Sequence, residues 1–278
     1  MITDATVQSV IYYTPYNGNQ IPIYDGSVFV NKIFASDLTM TLEATNNLSG
    51  KLYDIFAFMD GATLRLGAAP AWTNDTTRSA AITRVNGLWV NNAIVTLTNG
   101  ATSYASIPAN RATYLGTVYC TANAQTAMMF KPSGAAGGSA NILGLYNAYN
   151  RVDISSEEND STASWAYTTA AWRASNNNAN NSITFIDGLQ QSFIRTEFLQ
   201  RTVGAGDGTH RGINLDSTSA APNRQAFGIS NASNISDASV ETFNPQLGKH
   251  YIQAMEYGNA SNSQYGGVNY NLRLTMEM

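Results

Sequence analysis

The sequence predicts an all-β protein, an antiparallel β-sandwich of jelly-roll-like kind, built as one large or two closely packed sandwich units with little helix. Three observations lead there. Val268, Tyr270, Leu272, Leu274 and Met276 alternate with Asn269, Asn271, Arg273, Thr275 and Glu277, and a period of two gives a strand one buried and one wet face. The dipeptides Asp60-Gly61, Asn86-Gly87, Asn99-Gly100 and Asp187-Gly188 punctuate short apolar runs, which is the turn chemistry of tightly connected strands. Helical periodicity is almost absent.

Taken in order, residues 1–20 read as an N-terminal docking segment, with Val7, Val10, Ile11, Tyr12 and Tyr13 apolar enough to add as a strand to a neighbouring protein. Residues 21–131 form a β-sandwich unit. Within it Leu38, Met40 and Leu42 alternate with polar neighbours, and Asp60-Gly61 joins Leu52–Met59 to Thr63–Leu66 as a hairpin. Residues 132–140, rich in Gly, Ala and Ser, are a loop or linker. Residues 141–278 form a second sandwich unit, in which Ser192–Arg201 reads as a bulged strand in preference to a short helix. Trp172–Asn181 is an Asn-rich loop whose amides can bond backbone groups.

Composition bounds the function. Only 12% of the 278 residues are charged, against about 25% in ordinary soluble domains. Asn, Thr and Ser must keep the surface wet, and such a surface packs against copies of itself without desolvating ions. The net charge of −4 with no Lys/Arg cluster argues against nucleic acid as partner. No basic segment followed by an apolar run opens the chain and no long apolar stretch occurs, so neither a secretory leader nor a membrane span is expected. The single Cys120 lies in an apolar strand-like string and reads as buried and inert.

Candidate chemistry is sparse. Asp153, Glu157, Glu158 and Asp160 could hold Ca²⁺ through their oxygens, but the spacing is not that of an EF-hand, and a solvated loop is the expectation. Adjacent acids on a polar loop do not split their pKa values as an acid/base pair must. Gly204–Gly212 has the glycines of a phosphate loop without the following Lys-Ser/Thr, so it reads as a hairpin loop. His210 and His250 are the chain's only imidazoles, with no Cys/His spacing around them. Asn47, Asn74, Asn231, Asn234 and Asn259 head sequons that chance supplies in such a composition. No catalytic motif is present, and no enzyme, metal or cofactor is expected. Tyr146, Tyr149, Trp165, Tyr167 and Trp172, read as exposed aromatics among amides, are the candidates for glycan or subunit contact, since rings cover sugar C–H faces while amides bond hydroxyls. Core packing is the competing reading for the same five.

A set of motifs in fixed order then speaks to family: Gly67-Ala-Ala-Pro-Ala-Trp-Thr-Asn-Asp-Thr-Thr-Arg78, Arg84-Val-Asn-Gly87, Asn110-Arg-Ala-Thr-Tyr-Leu-Gly-Thr117, Leu145-Tyr-Asn-Ala-Tyr-Asn-Arg-Val152, Ser164-Trp-Ala-Tyr167 with Ala171-Trp-Arg173, and Gly212-Ile-Asn-Leu-Asp-Ser217. From about Ile21 onward the chain resembles the tail-fibre-like structural proteins of tailed-bacteriophage virions. The resemblance implies a β-rich virion part with no enzymatic residues, made in the host bacterial cytoplasm. Its implied partners are itself as a homotrimer, other phage virion proteins and a host surface glycan. A tail fibre or spike of the adsorption apparatus is the first expectation. A capsid decoration (cement) or head-fibre protein is the alternative, and a polysaccharide-degrading tailspike the third.

Overall fold

Strands make up nearly all of the regular structure in the computed structural model, which describes residues 3–132, 134–205, 209–228, 231–258 and 262–278. The one helical element among them is a 3-10 turn at Ser175–Asn177. An amino-terminal sheet runs in the order Thr102–Ile107, Val95–Asn99, Thr63–Ala68, Leu52–Asp60, Ala112–Tyr119, Leu88–Asn91, Ile82–Val85, with Leu145–Asn147 added to Ala112–Tyr119. A central sheet runs Ala5–Gln8, Thr126–Met128, Asn141–Leu143, Ser182–Asp187, Gly248–Tyr257, Thr209–Leu215, Gln225–Gly228, with Trp172–Ala174 paired to Gly248–Tyr257. A carboxy-terminal sheet runs Asp153–Glu158, Asn262–Glu277, Ile194–Ala205, Asn231–Phe243, with Trp165–Ala166 on Asn262–Glu277. Pairing is antiparallel except where Asn141–Leu143 meets Ser182–Asp187 in parallel.

From Tyr270 onward the alternating C-terminal segment behaves as its pattern demands, whereas Val268, expected on the buried face, is 98% exposed where the register with Ile194–Ala205 shifts. Tyr270, Leu272, Leu274 and Met276 point inward, join Ile194 and Phe198 of the neighbouring strand, and meet Ile183, Phe185 and Ile252 of the central sheet in one apolar cluster. Those two sheets therefore close as a sandwich. In the first half, the hairpins Val10–Tyr13 with Leu38–Thr41 and Gln20–Tyr24 with Phe29–Ile33 cover one face of the amino-terminal sheet. Ile11, Ile21, Ile23 and Met40 pack there on Tyr53, Ile55 and Leu115. The other face buries Phe56, Phe58, Leu97 and Tyr114. With both faces covered, Leu52–Asp60 is apolar almost throughout, as a central strand must be.

All three of Asp60-Gly61, Asn86-Gly87 and Asn99-Gly100 mark two-residue hairpins: Asn86-Gly87 is the loop itself, while Asp60 and Asn99 are the last paired residues before the loops Gly61-Ala62 and Gly100-Ala101. Asp187-Gly188 does not. The Asp187 carboxylate accepts the N–H groups of Leu189, Gln190, Gln191 and Ser192 at 2.7–3.3 Å, and the chain leaves the central sheet for the carboxy-terminal one. A methyl group on Gly188 would stand 2.2 Å from the Tyr114 hydroxyl, so here the glycine serves close packing. Of Ser192–Arg201, the part from Ile194 onward is strand, within Ile194–Ala205, while Ser192 and Phe193 precede it.

The 132–140 stretch leaves from Thr126–Met128 and returns into Asn141–Leu143, and Met128 pairs with Leu143. Two residues later Leu145–Asn147 joins the amino-terminal sheet. The halves are thus stitched by one continuous run, and the stitch depends on Gly116: a Cβ there would lie 2.1 Å from the Tyr146 carbonyl oxygen. Gly116→Ala is expected to cost about 1–3 kcal/mol by forcing these strands apart, read as a lower urea midpoint with unchanged slope.

Candidate functional site

Two short strands bring aromatic side chains to one end of the carboxy-terminal sandwich. Trp165 pairs with Gln264 on one sheet, and Trp172 pairs with Tyr257 on the other. The Trp165 Nε1–H donates to Glu256 at 2.8 Å, and Arg173 Nε donates to the second oxygen of that carboxylate at 2.7 Å. The Arg173 guanidinium lies 3.6 Å from the centre of the Tyr167 ring, whose hydroxyl donates to the Ala171 carbonyl. Trp172, His210 and Tyr257 form a three-ring group with centroids 5.2–6.2 Å apart. Five rings and an arginine therefore share this end, around a carboxylate that burial raises and that Trp165 and Arg173 pull back down.

Beneath the rings the interior is polar. Asp160, fully buried, accepts N–H groups from Gly137, Thr162, Asn176 and Asn181. Burial raises its carboxyl, but those bonds outweigh it and hold Asp160 below the usual carboxylate range. Glu158 is also fully buried, and burial pushes its carboxyl up to about 9 against the Ser139 backbone N–H, which pulls it down. Arg211 donates to the Thr202 hydroxyl at 2.8 Å from a buried position that lowers it to about 10.

This corrects the acidic cluster expected as a solvated loop. Asp153–Glu158 is a strand, where alternation sends Asp153 and Glu157 out to pair with Arg195 and Arg273 and sends Glu158 in. As a Ca²⁺ set the four do not converge. Asp160 is ringed by N–H donors, and among the described residues no three His, Cys, Asp or Glu side chains gather around one point. The charged pairs on the outer face of the carboxy-terminal sheet also show that this strand group is not a neutral polar surface.

The five aromatic candidates separate. Trp165, Tyr167 and Trp172 share the site just described, while Tyr146 and Tyr149 lie at the junction of the halves. Reading Tyr146 as exposed is overturned: it is fully buried, and Arg151 donates to its hydroxyl at 3.2 Å. Tyr149 is half-buried against the hairpin core. Apolar neighbours such as Leu145 and Val152 signalled core packing, but nothing local shows on which side of a three-residue strand a tyrosine falls.

Of the docking-segment residues, Val7 is exposed in a bulge between Ala5 and Gln8, which pair with Met128 and Thr126. Val10, Ile11, Tyr12 and Tyr13 pair with this chain's own Leu38–Thr41. Ile11 is buried, Tyr12 is exposed, and Tyr13 packs on Phe34 at 5.7 Å. Cys120 is a buried free thiol, pushed up to about 12 by burial. His250 is structural, its Nδ1 2.6 Å from Asp216 and its Nε2 3.1 Å from the Leu247 carbonyl. Burial pulls this imidazole down, but Asp216 and Leu247 carry it above the usual histidine range. Part of Gly204–Gly212 and the sequon Asn259 lie outside the described residues, and among the described residues no helix is long and apolar enough to cross a membrane.

No family model matches the chain, and no curated protein matches it. Among solved structures it is similar to a Bacillus thuringiensis Cry1Da tryptic core variant, at 7% identity and a TM-score of 0.18, over 99% of this chain and 51% of that one. The chain thus spans about half the length of that structure, and likeness at this level carries no argument.

Proposed function

We propose that this chain is a structural subunit of a tailed-bacteriophage virion, a tail fibre or spike component of the adsorption apparatus working as a homo-oligomer, a trimer first. The motif resemblance supplies the virion setting. The observation that carries self-association is the outer strand Asn231–Phe243. It has 13 residues, it pairs with Ile194–Ala205 on one side, and its other edge pairs with no strand among the described residues. Long edges are usually blunted by Lys, Pro or brevity. This one has no Lys and no Pro, and it presents Val240 at 58% exposure. Asp237 and Glu241 are its only charges, and so lightly protected an edge is a template for a second chain.

The expected result is an oligomer at micromolar concentration by native mass spectrometry, with the polypeptide present in purified virions and labelled on the tail. Val240→Lys should shift the protein toward monomer while changing its own stability by less than about 0.5 kcal/mol. Monomer in the parent protein together with absence from virions would remove the reading. Label on the head lattice would move the assignment to a capsid decoration or head-fibre protein, and release of sugar from host polysaccharide to a tailspike.

A further inference from the structure

A second aromatic cleft lies at the opposite junction, away from Trp172. The hairpin strand Val10–Tyr13, the turn that follows it and the segment leaving Leu145–Asn147 enclose a volume of about 480 Å³. Tyr12 and Tyr16 stand at its wall with 59% and 75% of their surface exposed. Tyr13 is held against Phe34, and both line the cleft. Amides come from two distant parts of the chain: Asn17 with Gln20, and Asn147 with Asn150. Asn147 spends its Oδ1 on the Tyr149 N–H at 3.1 Å, which leaves its NH₂ as a donor. No Asp, Glu, Lys or Arg side chain is in the lining.

That inventory selects a ligand class. Tyrosine faces left in water are costly unless something apolar and flat-sided covers them, and amides want partners that both donate and accept. A phosphate, sulfate or acidic sugar would call for Arg or Lys, and a cation for carboxylates. A neutral sugar offers C–H faces to the rings and hydroxyls to the amides, and the enclosed volume is within the range of small-molecule sites. From this geometry we infer that the Tyr12/Tyr16 cleft binds a neutral oligosaccharide of two or three residues. The inference stands on the cleft chemistry and does not depend on where in a virion the chain lies.

The test is saturation-transfer NMR on the full chain with maltotriose and with chitotriose, using sialyllactose as the charged counter-probe. Expected is transfer to at least one neutral trimer and little to sialyllactose, with affinity falling roughly tenfold or more in Tyr16→Ala and largely kept in Tyr16→Phe, which retains the ring. Tyr16 is exposed enough that neither change threatens folding, and circular dichroism confirms it. No transfer to either neutral trimer overturns the inference, as does transfer untouched by Tyr16→Ala. Transfer abolished by Trp172→Ala also overturns it, by placing the sugar on the other aromatic end.

Discussion

Replacing Arg78 with methionine is expected to destabilise the fold by about 3–5 kcal/mol, the cost of leaving a buried charge without its partner. Arg78 reaches from a loop of the amino-terminal half to Asp54 in the middle of that sheet at 2.7 Å, with 11% and 2% of the two side chains exposed. It also donates to the Gly188 carbonyl, in the segment crossing from the central to the carboxy-terminal sheet. Its guanidinium lies 4.3 Å from the Trp72 ring centre. Burial raises the Asp54 carboxyl, while Arg78 and the Thr117 hydroxyl, 2.7 Å away, pull it down. Without Arg78 no positive charge faces the buried carboxylate, and only the neutral Thr117 hydroxyl and Trp72 indole remain beside it. The thermal midpoint should fall on the order of 10 °C. Asp54→Asn added to Arg78→Met should recover a large part of the loss, since no buried charge then remains. Denaturant unfolding of both variants decides it, and a single variant within 1 kcal/mol of the parent would refute the buried-pair account.

Glu158→Gln is expected to act in the opposite direction. The folded protein keeps the Glu158 proton up to about pH 9, whereas the unfolded chain releases it near about 4.3. Between those values the folded state binds the extra proton, so stability falls as pH rises, by up to about 1.36 kcal/mol per unit from this one group. Glutamine keeps the shape and does not titrate. The variant should be more stable than the parent by about 2–3 kcal/mol at pH 7.5, and the gain should shrink toward pH 5. Urea unfolding at the two pH values measures it. A loss of stability at both would mean that Glu158 is ionised and partnered.

The structure separates strand identity from strand placement. Period-two alternation made the final strand legible from Tyr270 to Met276, because burial of one face is written directly into side-chain polarity, but it misplaced Val268, which a register shift turns outward. Asp60-Gly61 and Asn86-Gly87 were legible as hairpins because a two-residue turn needs backbone angles that few residues adopt. Asp187-Gly188 carries the same two letters and does something else. Its carboxylate collects four backbone N–H groups and its glycine clears Tyr114, which no local pattern distinguishes from a turn. The acidic run likewise showed its charge and hid its geometry: whether Glu158 falls inside or outside depends on which sheet covers the strand.

The candidate sites were half legible. Trp165, Tyr167 and Trp172 are close in sequence and stay close in space, because short strands on two facing sheets deliver them to one end. Tyr12 and Tyr16 were visible as tyrosines, but their cleft needs Asn147 and Asn150 from more than 100 residues away.

From composition and period alone follow an all-β chain, its turn-closed hairpins and its buried thiol, since each depends on the polarity of neighbours along one strand. Which sheet a strand joins, which acids are buried without a cation, which tyrosines are core and which line a cleft depend on contacts between residues far apart in sequence. Only the packed molecule decides those, because the free energy of a polar or aromatic group is set by what covers it.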